Sequence, residues 1–208
     1  MESQWLTWAK RLQAIAATGL HYCEDVYDRE RYAEIDDIAQ SMIAQLGSLP
    51  IEHIRGLLAH PGLHGYATPK IDVRAAVIKD GKVLLVCERG DGRWSLPGGM
   101  ADVGLSATEN VIKEVREEAG LRVSVTDLYS VRHRAKHAYD PDVRDFYKLH
   151  FLCQQSDGAS PKPGVETTAA AFFSPDELPE LSTERILAAD IDAAFEFHAG
   201  TTRQTQFD

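Results

Sequence analysis

The stretch GGMADVGLSATENVIKEVREEAGL, residues 98–121, decides how the rest of the chain is read. Ser106-Ala-Thr-Glu109 has the spacing of a capping box, in which the serine and the glutamate each satisfy a backbone N–H of the other, so the pattern predicts a helix starting there. Gly120 is placed to end it. At about 100° per residue, Val111, Val115 and Ala119 form a packing stripe, and Glu114, Glu117 and Glu118 fall together on a neighbouring arc. Glu114 and Glu118, one helical turn apart, repel by roughly a few tenths of a kcal/mol unless a cation lies between them. An EVREE run taken alone reads as a solvated acidic face. The preceding Leu96-Pro97-Gly98-Gly99 changes that reading, because paired glycines allow a backbone conformation and a close approach that side chains block. A carbonyl exposed at such a turn adds a hard oxygen to the glutamates. Together they suit Mg²⁺ or Mn²⁺, which keeps several waters and binds substrate phosphates as well.

Outward from this helix the texture differs on the two sides. From Trp5 to about Leu58, apolar residues recur at three and four, as in Trp5, Trp8, Leu12 and Ile15, then Tyr32, Ile35, Ile38, Ile43 and Leu46. This predicts two amphipathic helices and a short third over 51–58, closed by a linker at residues 60–65. Trp5, Trp8, Tyr22 and Tyr27, at helical spacing, are expected to be core. After Pro69 come short alternating runs, Ile71–Ile78, Val83–Glu88 and Trp94–Leu96, the first two joined at Asp80-Gly81. Leu128–His133 and Asp145–Cys153 read as another antiparallel pair, Ala169–Phe173 as one more strand, and Thr183–Phe197 as a last helix. The expected architecture is α+β: an all-helical module over 1–66, a mixed sheet flanked by helices over 67–200, and a loosely ordered polar tail over 201–208.

Bulk properties narrow the function. The chain of 208 residues carries a formal net charge of −10, which opposes binding of extended nucleic acid. Cys23, Cys87 and Cys153 are odd in number and far apart, without metal spacing, so a reducing cytoplasm is expected. No apolar run reaches the length of a membrane span, and the start MESQWLTWAK lacks the basic-then-apolar order of a targeting segment.

Residues 98–121 resemble the Nudix box, GX5EX7REUXEEXGU with U aliphatic. Gly99, Glu114, Val115, Glu117, Glu118, Gly120 and Leu121 match in register, while Leu105 replaces the first glutamate and Lys113 the arginine. In the family those two residues brace the loop against the helix, so their replacement implies a weakened brace with the metal ligands spared. The resemblance implies Glu114 and Glu118 as principal ligands of Mg²⁺ or Mn²⁺, Glu117 on a second ion or its water, and the Gly98 carbonyl as a further ligand. A wider likeness runs through WLTWAKRLQAIAATGLHY, DGRWSLPGGMADVG, RAKH, FYKLHFLC and VETTAAAFF. These segments resemble the branch with a helical N-terminal extension that hydrolyses nucleoside diphosphates linked to a group X, of ADP-ribose or CDP-choline type, and the resemblance implies the Nudix-type α/β/α sandwich around the mixed sheet.

Several residues outside the box are candidates for substrate or catalysis. Arg74 and Lys148 alternate with apolar neighbours in their strands and would neutralise phosphate, or else form a polar strand face. His137, in a basic loop with Arg134 and Lys136, and Arg185, near the start of the last helix, are further phosphate candidates. Glu117 and Glu166 are the candidate bases for water activation; Glu166 lies before a late strand, where some relatives place a catalytic or metal-binding glutamate, and Ala169 and Ala171 stand where relatives often have acids. The expected reaction is metal-dependent hydrolysis of NDP-X, a small-molecule nucleotide, to a nucleoside monophosphate and X-phosphate by a homodimer. Action on nucleoside triphosphates or RNA ends, and a regulator that binds a nucleotide-sugar without cutting it, are the alternatives.

Overall fold

A computed structural model describes residues 2–58 and 66–208; the linker expected at 60–65 lies outside the described residues. The chain forms two compact units, Met1–Lys70 with Asp140–Phe146, and Ile71–Tyr139 with Tyr147–Asp208.

The first unit contains helices α1 (Gln4–Tyr22), α2 (Val26–Gly47) and α3 (Ile51–Leu58). Ser3 and Asp25 cap the first two, accepting from the amides of Leu6 (3.2 Å) and Asp28 (3.0 Å). Leu6, Ala9, Ile43, Ala44 and Ile54 make the core together with Val143. Residues 140–146, expected from sequence within the domain over 67–200, therefore belong with the helices. Lys10 pins them, its ammonium lying 3.2 Å from both the Asp145 carboxylate and the Arg144 carbonyl. The aromatic residues expected in this core are not there. Trp5, Trp8, Tyr22 and Tyr27 are exposed, Trp5 by 60%. The reason is rotational: Leu6, Ala9 and Ala16 face inward, so positions 5, 8, 12 and 15 form the neighbouring, outward-turned stripe, where the two tryptophans meet edge to face at 5.1 Å.

The second unit is built on a mixed sheet. Its strands are β1 (Lys70–Lys79), β2 (Lys82–Glu88), β3 (Trp94–Ser95), β4 (Gly98–Met100), β5 (Val123–His133), β6 (Phe146–Gln155), β7 (Thr167–Phe173) and β8 (Gln206–Phe207). The order is β3-β2-β1-β6-β5-β8, with β4 on β1 and β7 on β2. Asp80 and Gly81 both have positive φ, 52° and 72°, as a two-residue hairpin turn requires. On one face Val73, Ala75, Val77, Leu84 and Val86 pack on Val111, Val115 and Ala119 of helix α4 (Ala107–Ala119). On the other, Ala76, Ile78, Leu85 and Tyr129 pack on Ile191 and Ala194 of helix α5 (Ala188–His198). This is the expected α/β/α sandwich.

Two ends differ from the sequence reading. The last helix starts at Ala188 rather than Thr183, because the Asp190 carboxylate accepts from the Leu187 amide (2.9 Å) and sets the cap there. The tail does not lie loose: β8 runs parallel to β5, with Ser130 opposite Gln206 and Val131 opposite Phe207. Its polar side chains serve as edge contacts, with Arg132 donating to Gln206 (2.8 Å).

Candidate active site

Helix α4 carries the capping box the sequence predicts, Ser106 accepting from the Glu109 amide (3.2 Å) and Glu109 from the Ser106 amide (2.8 Å). Gly120 ends it with φ 66°. With Val111, Val115 and Ala119 sealed against the sheet, Glu118 is forced to the edge of the core and is 5% exposed. Strand β4 meets it there. Gly98 has φ 147°, and a Cβ at that position would sit 2.0 Å from the Val73 carbonyl oxygen, so only glycine lets β4 lie this close to β1. In return the Gly98 amide donates to Glu118 Oε2 (2.9 Å), and Gly99 lies against the Glu114 carboxyl.

Burial raises the Glu118 carboxyl to about 8, against the pull of Arg74 and the Gly98 amide, with Glu88 and Glu114 pushing the same way as burial. Burial also raises Glu114, with Glu117 and Glu166 adding to it and Lys113 and Arg74 opposing. Two half-desolvated carboxylates that resist ionisation on their own form a donor set that a hard cation relieves. Among the described residues no three His, Cys, Asp or Glu side chains are grouped so that they could hold a metal ion, Glu114, Glu117 and Glu118 included. Mg²⁺ does not need such a group, since it binds through one or two carboxylates plus waters and substrate oxygens.

The box departures are answered by a residue the sequence reading missed. Lys113 reaches Asp102 (2.9 Å) and Glu117 (3.3 Å), so Asp102 supplies the acid absent at Leu105. Buried Asn110 fastens the same loop, accepting from the Asp102 amide (2.8 Å) and donating to the carbonyls of Leu105 (3.3 Å) and Ser106 (3.1 Å). The brace is rebuilt from different residues.

Arg74 and Lys148 take up neither arrangement considered from sequence, an open phosphate site or a polar strand face. Both are buried on Asp72: Arg74 donates twice to its carboxylate (2.9 and 2.8 Å) and Lys148 once (3.0 Å). Burial opposes the Asp72 charge, but the two cations outweigh it and hold the carboxyl well below its usual range. Arg74 also donates to the Leu96 carbonyl (3.2 Å), tying the network to the turn before Gly98. Asp72 and Arg74 are two apart in one strand, hence on one face, so the alternation that placed Arg74 also puts Asp72 on its side without fixing that they pair.

The remaining candidates are spread out. Glu117 is half exposed and near Lys113 and Arg116. Glu166 is exposed and acts electrostatically on Glu114. Arg185 lies 3.0 Å from Asp91 and 3.5 Å from Glu88, a buried carboxylate that accepts from Ser95 (3.0 Å). Glu88 was not singled out in the sequence; its only sign is a charge ending an otherwise apolar strand. His137 is paired with Asp208 at 2.5 Å, on the tail.

Comparison with known proteins places this geometry. Residues 69–195 match the model of the NUDIX domain, and residues 3–58 that of a UDP-X-like, N-terminal oligomerisation domain. A Bacillus subtilis protein, YjhB, provisionally named an ADP-ribose pyrophosphatase, is 41% identical over 208 residues, covering 100% of this chain and 99% of its own. The crystal structure of a UDP-X diphosphatase is similar over 98% of both chains, with 33% identity and a TM-score of 0.63. That of an ADP-ribose pyrophosphatase from Streptococcus suis covers 68% of this chain and 100% of its own, at 40% identity and a TM-score of 0.61.

Proposed function

The chain belongs to the Nudix family of pyrophosphohydrolases, and from that premise we propose that it hydrolyses a nucleoside diphosphate linked to a second group X, giving a nucleoside monophosphate and X-phosphate. The observation that carries the reading is the buried Glu118 under the Gly98 amide, beside Glu114, in a chain similar along its length to proteins named for ADP-ribose and UDP-X. CDP-choline belongs to the same substrate class. Nudix hydrolases are generally dependent on divalent metal. Glu114, Glu118 and the Gly98 carbonyl would hold Mg²⁺ or Mn²⁺, which supplies a Lewis acid toward the diphosphate oxygens and acidifies a bound water.

The chain's own residues account for the rest. Water oxygen bonds to one phosphorus, the bridging P–O bond breaks, and the bridging oxygen leaves on the other phosphate; attack at either phosphorus gives the same two products. Glu166 accepts the water proton, and Glu117 would hold a further ion or its water. Arg185 is the partly exposed cation suited to a substrate phosphate. Arg74 acts at shorter range on the glutamates and on the Leu96–Gly98 turn. Lys148 and His137 would touch substrate only by leaving Asp72 and Asp208.

The outward stripe of α1, in a segment matching an oligomerisation domain, supports a homodimer. Three free cysteines support a cytoplasmic setting, and no helix among the described residues is long and apolar enough to cross a membrane. The test is a panel of ADP-ribose, CDP-choline, a UDP-sugar, NADH, nucleoside triphosphates and short RNA, incubated with Mg²⁺ and with excess chelator, with products identified by mass. Preferential release of a monophosphate from an NDP-X compound is expected. Undiminished turnover in chelator, or preference for triphosphates or RNA ends, would overturn the assignment.

A further inference from the structure

Residues 156–166, between β6 and β7, form neither helix nor strand, yet the last of them are fastened on two sides. Toward α4, the Lys162 amide donates to the Ala119 carbonyl (2.9 Å) and the Gly164 amide to that of Glu118 (3.2 Å). Thr167, itself buried, donates to the same Glu118 carbonyl (2.8 Å) and accepts from Gly164 (2.8 Å). These are end-of-helix carbonyls with no partner inside the helix. A Cβ on Gly164 would lie 1.7 Å from the Glu117 carbonyl oxygen, so only glycine permits this approach.

The other side is held by one residue. The Arg89 amide donates to the Glu166 carbonyl (3.0 Å), its Nε to that of Val165 (3.0 Å), and its guanidinium Nη2 to that of Thr167 (3.1 Å). Three consecutive carbonyls, with Glu166 in the middle, are thus occupied by Arg89. The register of β2 on β7 shifts between Cys87 and Glu88, immediately before it. Such a bulge re-aims the chain at a sheet edge. Here it turns Arg89 toward the loop. Glu166 is exposed, its side chain takes no part in building this frame, and its charge acts on Glu114.

We propose that Arg89 is a positioning residue for hydrolysis, fixing the Glu166 carboxylate beside the glutamates of α4; this rests on the reading of Glu166 as the proton acceptor. The test combines Arg89→Ala, Arg89→Lys, Glu166→Gln and the Arg89→Ala/Glu166→Gln double variant, assayed on the compound of the panel turned over fastest. Loss of the base is expected to lower kcat by about 100-fold or more. Arg89→Ala should lower kcat by about tenfold with KM nearly unchanged, a misplacement effect, and Arg89→Lys by less. The double variant should be no slower than Glu166→Gln alone, since a residue acting through Glu166 has nothing left to position. Independently of turnover, amide hydrogen exchange over residues 163–168 should speed up in Arg89→Ala while that of α4 stays protected. Arg89→Lys serves for both readouts if the alanine variant does not fold.

A wild-type kcat in Glu166→Gln would remove the premise and the proposal together. An impaired Glu166→Gln beside a fully active Arg89→Ala, multiplying losses in the double variant, or unchanged exchange over 163–168 would overturn the role of Arg89 alone.

Discussion

Glu118 holds two roles that a single substitution separates. Its carboxyl accepts the Gly98 amide, and burial raises it to about 8, so its charge is a burden on the metal-free fold. An acid raised in this way contributes stability below its unfolded value, and that contribution is lost as pH rises through the folded one. Glu118→Gln keeps an acceptor for Gly98 and removes the charge. In chelator at neutral pH its melting temperature should equal or exceed that of the wild type, whereas Mg²⁺-supported turnover should fall on the order of 100-fold or more. A destabilised glutamine variant with unimpaired turnover would contradict the assignment. Asp72 presents the opposite case. Asp72→Asn leaves Arg74 and Lys148 buried against a neutral partner, and urea denaturation should register a loss of about 3–5 kcal/mol. Neither the depth of these groups nor their partners follows from residue type: the alternation that puts Arg74 on one strand face is the same whether that face meets water or a second layer.

At the scale of elements, β6 carries a titration that the mechanism does not use. His150 is fully buried opposite Ser130 of β5 and beside the Tyr129 ring, with no hydrogen-bond partner on either ring nitrogen among the described residues. Burial lowers it to about 4, with Lys148 and Arg74 adding to the effect and Asp190 and Asp72 opposing. The folded state keeps the ring neutral, so the unfolded chain takes up the proton first. The resulting stability is complete above about pH 6.5 and is lost as pH falls from there toward 4, at about 1.4 kcal/mol per pH unit. Because Glu118 contributes a slope of opposite sign in the same range, the test is a difference: urea-derived stabilities between pH 7 and 4.5 should lose this contribution in His150→Leu relative to wild type, and an equal slope in both would place the effect elsewhere. Element boundaries follow the same logic of local versus distant causes. Helix α4 is delimited by its own capping box and Gly120, both contained in its sequence. Helix α5 is shorter than its apolar pattern because Asp190, not the first periodic residue, selects the cap. Strand β4 was invisible as a strand, since a Gly-Gly pair has no strand preference of its own and becomes one only by lying on β1.

For the whole molecule, the outward stripe of α1 carries the assembly prediction. Trp5, Trp8, Leu12 and Ile15 are exposed together on one helix face, more apolar surface than an isolated helical unit ordinarily presents to water. Trp5→Glu/Trp8→Glu is expected to sediment as a monomer and the wild type as a dimer; a wild-type monomer at micromolar concentration would end the dimer proposal. The sequence by itself determined a helical module followed by a sheet flanked by helices, the capped helix and the register of its three glutamates. Those features rest on periods of 3.6 and 2, on caps and on turn residues, all set within a few neighbouring positions. Only the tertiary structure decided that Arg74 and Lys148 close on Asp72, that Asp102 takes the place of the acid missing at Leu105, that the tryptophans face outward and that Arg89 holds the loop of Glu166. Each of these joins residues on different elements or chooses between two faces of one, and a charge or a ring reads the same along the chain whichever neighbour the fold brings to it.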